Sequence, residues 1–143
     1  MVHPTIDEQL HGAQRLLDAV EADSQLSTAS QESLTNVRRL LKQVTRSWAG
    51  VLPFHVQDNA TLTELLAHTA PLAGPTLSAA IDGAVNATPA GSGLNIAVVS
   101  GRNAELRGLL ARAIAELPRT TAGDIARTEI GNYLRDRVNA DPS

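Results

Sequence analysis

Apolar residues recur at helical spacing along most of this chain. Ile6, Leu10, Ala13, Leu17 and Val20 stand four, three, four and three positions apart, and Leu34, Val37, Leu41, Val44 and Trp48 step by three, four, three and four. A mean step of about 3.5 residues places each set on one stripe of an α-helix. Thr5-Ile-Asp-Glu8 reads as a capping box opening the first helix, and Asp7 and Glu8 suit its positive end. Thr28 with Gln31 reads as the capping box of the second. Only the polar segment Asp23–Ser27 separates the two, so they are predicted to form an antiparallel helical hairpin.

Further along, breakers divide the pattern. Gly50 and Pro53 are read as ending the second helix. Asp58 or Asn59 then caps a third helix that runs to about Thr69, with Leu62, Leu65 and Leu66 on its apolar face. Pro71 and Gly74-Pro75 interrupt the chain. Pro75 suits a first helical position, and Leu77, Ile81, Ala84 and Val85 make a short fourth helix. Thr88-Pro-Ala-Gly-Ser-Gly93 is a loop by composition and the best place for a flexible link. Leu94–Val99 has the β-branched content of a strand, but no second strand pairs with it, so a helical or extended packing segment is preferred. Asn103 is read as the cap of a fifth helix carrying Leu106, Leu109, Leu110, Ala113, Ile114 and Leu117. Pro118 ends it, and a last helix spans about 122–139. The expectation is an all-α, single-domain bundle of five or six helices over residues 1–143.

Composition sharpens this picture. At 43% hydrophobic residues and a net charge of −3, the chain reads as a soluble globular protein. Aromatic residues make up only 2%, so the core must come from Leu, Val, Ile and Ala. The absence of cysteine excludes disulfides, thiolate catalysis and Cys-ligated zinc, and it fits a reducing cytoplasm. The opening Met-Val-His-Pro-Thr lacks a signal peptide's basic start and apolar core, and no apolar run approaches the ~20 residues of a membrane span. A cytoplasmic location is therefore expected. Basic charge is nearly all Arg, with Lys42 the single lysine, which reads as GC-rich coding and a bacterial source.

Charge is segregated. Residues 1–23 carry −4 and residues 24–57 carry +3. Arg38, Lys42 and Arg46 fall at i, i+4 and i+8, a single basic stripe that suits a phosphate, an anionic tail or an acidic partner. The simpler alternative is that these cations hold the hairpin in register against the acidic first helix. Acidic net charge argues against nucleic-acid binding. Two of the three aromatics, Trp48 and Phe54, share the segment Trp48–Asn59 with His55. That segment is either a turn that plugs the end of the bundle or an exposed contact for a partner or ligand. Glu64 and His68 make a Glu-x-x-x-His pair, not the Glu-x-x-His signature of di-iron bundles, so no metal is expected. Asp124, Arg127, Glu129, Arg135 and Arg137 read as a solvated charged face of the last helix. No nucleophile elbow, zinc motif or phosphate loop is present, and neither a catalytic residue nor a cofactor is assigned.

His3-Pro-Thr-Ile-Asp-Glu-Gln-Leu10, Ser47-Trp-Ala-Gly-Val-Leu-Pro-Phe54 and Glu129-Ile-Gly-Asn-Tyr-Leu-Arg-Asp-Arg137 carry a resemblance. The chain resembles short bacterial all-helical proteins of unknown function, of the kind encoded near aminoglycoside-phosphotransferase-like kinases and acyl-CoA dehydrogenases. That resemblance implies an accessory role in acyl-thioester or small-acid metabolism and supplies no catalytic residue. The reading from sequence is a non-enzymatic accessory or interaction protein, expected as a homodimer. The alternative is a binding module for a small apolar or acyl ligand with an anionic group. The candidate contact residues are Trp48, Phe54, His55, Arg38, Lys42 and Arg46.

Overall fold

The computed structural model describes residues 6–23, 25–87 and 95–142, and it is all-α. Five helices follow one another: α1 (Ile6–Asp23), α2 (Thr28–Thr69), α3 (Pro75–Asn86), α4 (Ile96–Glu116) and α5 (Thr121–Ala140), with one 3₁₀ turn at Ala70–Leu72. No strand occurs among the described residues, and the segment left open between strand and helix becomes the start of α4 from Ile96 onward. No helix among them is long and apolar enough to cross a membrane. The proposed link at 88–93 and the Thr5 end of the first capping box lie outside the described residues. The chain divides into two compact units, Met1–Ala49 with Pro142–Ser143, and Gly50–Asp141.

The first unit is the helical hairpin that the two stripes predict. Asp7 meets Trp48, Gln14 meets Thr45 and Asp18 meets Arg38, so positions advance along α1 as they recede along α2. That is the antiparallel register. The N-terminus of α2 is capped one residue earlier than expected. Ser27, not Thr28, accepts from the Ser30 amide through its hydroxyl at 3.3 Å and from the Gln31 amide through its carbonyl at 3.0 Å. None of the hairpin's described side chains is fully buried; Leu10, Ala13, Leu17, Leu34, Leu41 and Trp48 are half-buried in the seam.

The expected break between the second and third helices is absent. α2 runs unbroken through Gly50 and Pro53 for 42 residues. Pro53 forfeits one backbone hydrogen bond and crowds the carbonyl of Ala49, a cost of about 3 kcal/mol, and Gly50 adds about 1 kcal/mol. What keeps the helix going is the lack of any competing turn chemistry. Val51–Gln57 holds no Asn, Asp, Ser or second Gly to stabilise a reversal, and apolar spacing resumes at once. Asp58 and Asn59 are consequently helix-interior residues, not caps.

The second unit has a true core. Leu62, Leu66, Leu77, Ile81 and Leu106 are essentially sealed from solvent, and Leu110, Ala113, Ala126 and Ile130 close around them. These come from the C-terminal part of α2 and from α3, α4 and α5. Pro75 stands at the first turn of α3, as expected. Asn95, not Asn103, caps α4 by accepting from the amides of Ala97 and Val98 at 3.0 and 3.4 Å. Arg102 donates to the Ala84 carbonyl at 2.8 Å, satisfying the end of α3 with a cation where the helix dipole favours one. Leu117–Thr120 joins α4 to α5 tightly. Thr120 caps α5 by accepting from the Gly123 amide, and a Cβ on Gly123 would collide with the carbonyl of Pro118.

Candidate functional site

Helical geometry sorts the hairpin's side chains onto opposite flanks. On α2, Leu34, Leu41 and Trp48 lie in the seam. Val37, Leu40 and Val44 turn to one side of it and Arg39, Lys42 and Arg46 to the other. On α1, Leu16 and Val20 turn to the same angular side as Val37. Two antiparallel helices are related by a two-fold axis normal to their plane, so matching angular sides fall on one face of the hairpin. Leu16, Val20, Val37, Leu40 and Val44 therefore share a face, with 70%, 47%, 42%, 59% and 45% of their surface open.

The other flank of α2 is basic. Arg38 bends into the seam and pairs with Asp18 at 2.6 Å and with Glu21. The register role weighed for the stripe thus holds for Arg38. It does not extend to Lys42 and Arg46, which have no ion-pair partner within 4.0 Å among the described residues; beside the stripe, Arg39 reaches Asn36 of its own helix. These three cations border a surface groove of about 660 Å³ together with Thr35, Gln43 and Pro142. Trp48 is half-buried, and its indole N–H donates to Asp7 at 3.1 Å, fastening the open end of the hairpin.

The second unit contains a buried polar cluster that the sequence reading did not single out. Asp58, on α2, is 6% exposed. Its Oδ1 accepts from the Tyr133 hydroxyl at 2.8 Å. Its Oδ2 accepts from Asn103 Nδ2 at 2.7 Å and from Arg137 Nε at 3.0 Å. Asn103 also donates to Asn59 Oδ1 at 2.9 Å, and Asn59 donates to the Val99 carbonyl at 3.0 Å. Burial and the hydrogen bond to Asp58 push the Tyr133 hydroxyl above the ordinary tyrosine range. Arg137 is a member of this cluster and not of a solvated face. Its side chain is 14% exposed, and its guanidinium stands 5.2 Å over the Phe54 ring, a cation–π distance. Asp124, Glu129 and Arg135 of the same helix do face solvent. Arg127 instead spans from Asp124 to the Leu117 carbonyl at 2.7 Å.

The chemistry open to this cluster is limited. Both oxygens of Asp58 are engaged by donors from other helices, three hydrogen bonds in all, so the carboxylate is held as a fixed structural acceptor. The cavity beside it is about 170 Å³, below the range that holds a cofactor-sized ligand. Its physical role is to tie α2, α4 and α5 together with bonds of fixed direction. The signal that could have found it is a polar residue standing inside an apolar stripe. Asn103 lies four after Val99 and three before Leu106, and Tyr133 lies three after Ile130 and four before Arg137.

The six candidate contact residues divide between the two units. Arg38, Lys42, Arg46 and Trp48 belong to the first unit, and Phe54 and His55 to the second. Phe54 and His55 are half-buried and packed on each other at 5.4 Å between ring centroids. The His55 Nδ1 is shut from solvent without a hydrogen-bond partner. Glu64 and His68 are exposed, and no group of three or more His, Asp or Glu residues converges among the described residues. Comparison with protein-family models, curated proteins and solved structures returns no match.

Proposed function

We propose that this chain is a non-enzymatic interaction protein that associates with a second copy of itself through the apolar face of its N-terminal hairpin. The observation that carries this reading is the row of Leu16, Val20, Val37, Leu40 and Val44, open on one face of a unit with no fully buried side chain among its described residues. Two helices alone cannot enclose a core; two such hairpins stacked face to face make a four-helix bundle that can. A step of four on α1 and steps of three and four on α2 suit knobs-into-holes packing, and a face shared by antiparallel helices is self-complementary about a two-fold axis. The cavity beside Asp58, about 170 Å³, is small for an acyl ligand, which supports this reading over an acyl-ligand module built at that cluster. An accessory role in acyl-thioester or small-acid metabolism, as the resemblance implies, is compatible with a protein that works by docking.

Sedimentation equilibrium at micromolar concentration tests the proposal. The expected result is a dimer for the unaltered chain and a monomer of unchanged helicity for Leu40→Glu. A monomeric unaltered chain, or a Leu40→Glu dimer of equal strength, would overturn it.

A further inference from the structure

The basic flank of the hairpin lies on the side of α2 turned away from the apolar row, so it stays open when that row is covered. We infer that this flank is a docking surface for an acidic helical segment of a partner protein. Arg39, Lys42 and Arg46 line one wall of a groove of about 660 Å³, and Lys42 and Arg46 are not neutralised within the described residues. Arg38 is taken up by Asp18 and Glu21, which fixes the wall without contributing a free charge.

The spacing of the cations identifies the ligand class. Arg39 to Arg46 covers seven residues, about 10 Å along the helix axis. A single phosphate would need donors that converge on a point, whereas a row needs an anion with charges in a row. A helix with glutamates at i, i+4 and i+7 presents carboxylates over the same ~10 Å. Thr35 and Gln43 supply neutral hydrogen-bonding groups beside the row, and Pro142 supplies an apolar contact. A nucleic-acid strand also carries charges in a row, but it calls for aromatic platforms on which bases stack, and none lines this groove. The chain's net charge of −3 disfavours it further.

Fluorescence anisotropy with a labelled helical peptide bearing glutamates at i, i+4 and i+7 tests the inference, with a uridine oligonucleotide measured alongside. The expected result is saturable peptide binding that weakens as salt is raised. Lys42→Glu and Arg46→Glu, both on exposed positions, should each weaken it about fivefold, in keeping with exposed ion pairs. Leu40→Glu should leave peptide binding intact, which separates this surface from the dimer seam. Absence of saturable binding, an affinity unchanged in the Lys42→Glu/Arg46→Glu double variant, or tighter binding of the oligonucleotide would each overturn it.

Discussion

Asp58 concentrates the consequences of burying charge in a helical core. Its three donors come from Asn103, Tyr133 and Arg137, so removing the carboxylate takes a partner from all three at once, with Asn103 left to Asn59. Asp58→Ala is expected to cost about 3–5 kcal/mol in urea denaturation, because it leaves the largely buried Arg137 guanidinium with only its longer 3.8 Å ion-pair contact to Asp141. Replacing Asp58 and Arg137 together by apolar residues of similar size should recover much of that loss. Tyr133→Phe removes a single bond to a charged group and should cost about 1.5–3 kcal/mol. Tyr133 also sets an alkaline limit. Its folded-state ionisation is raised above the ordinary value of 10.0, so the unfolded chain ionises first. Stability is therefore unaffected below about pH 10 and falls as pH climbs from there through the folded-state value. Tyr133 is the only tyrosine, so phenolate absorbance reports it alone. The folded protein should ionise at higher pH than the urea-unfolded chain, and Tyr133→Phe should abolish the alkaline loss.

At the level of elements, the clearest departure from the sequence pattern is the unbroken α2. Periodicity located the stripes on both sides of Pro53 and the antiparallel hairpin before it. What it could not weigh was a local penalty of a few kcal/mol against packing on both sides, because packing is decided by residues distant in sequence. The same limit explains Asn103. An asparagine ahead of an apolar run has the appearance of a cap, and only the position of Asp58 on another helix shows why it lies inside. Arg137 likewise reads as a solvated residue in sequence because its partner is 79 positions away. Two expectations follow for the elements themselves. Pro53→Ala at this exposed position should stabilise the protein by about 1–3 kcal/mol, read as a raised urea midpoint, since it restores a helical hydrogen bond. Gly123→Ala should destabilise it by about 1–3 kcal/mol or more in the same assay, because the added methyl meets the rigid Pro118 carbonyl at the α4–α5 turn.

Across the whole molecule, protection from solvent is unevenly distributed. Among the described residues, every fully buried side chain belongs to the unit Gly50–Asp141, and those of the hairpin are half-buried or exposed. Amide hydrogen exchange should therefore be slow in α3–α5 at any protein concentration. In α1 and the first half of α2 it should slow as concentration rises and a second copy covers the apolar row. Equal protection in the hairpin at high and low dilution would contradict the self-association reading.

Lys42, finally, is the one lysine in 143 residues, and it stands in the groove beside Arg39 and Arg46. Any reagent or enzyme selective for side-chain amines has a single address on this protein. A lysine-directed photo-crosslinker would thus record the occupant of that groove without any residue being engineered. Acylation of that one amine would erase a third of the groove's free positive charge in a single chemical event.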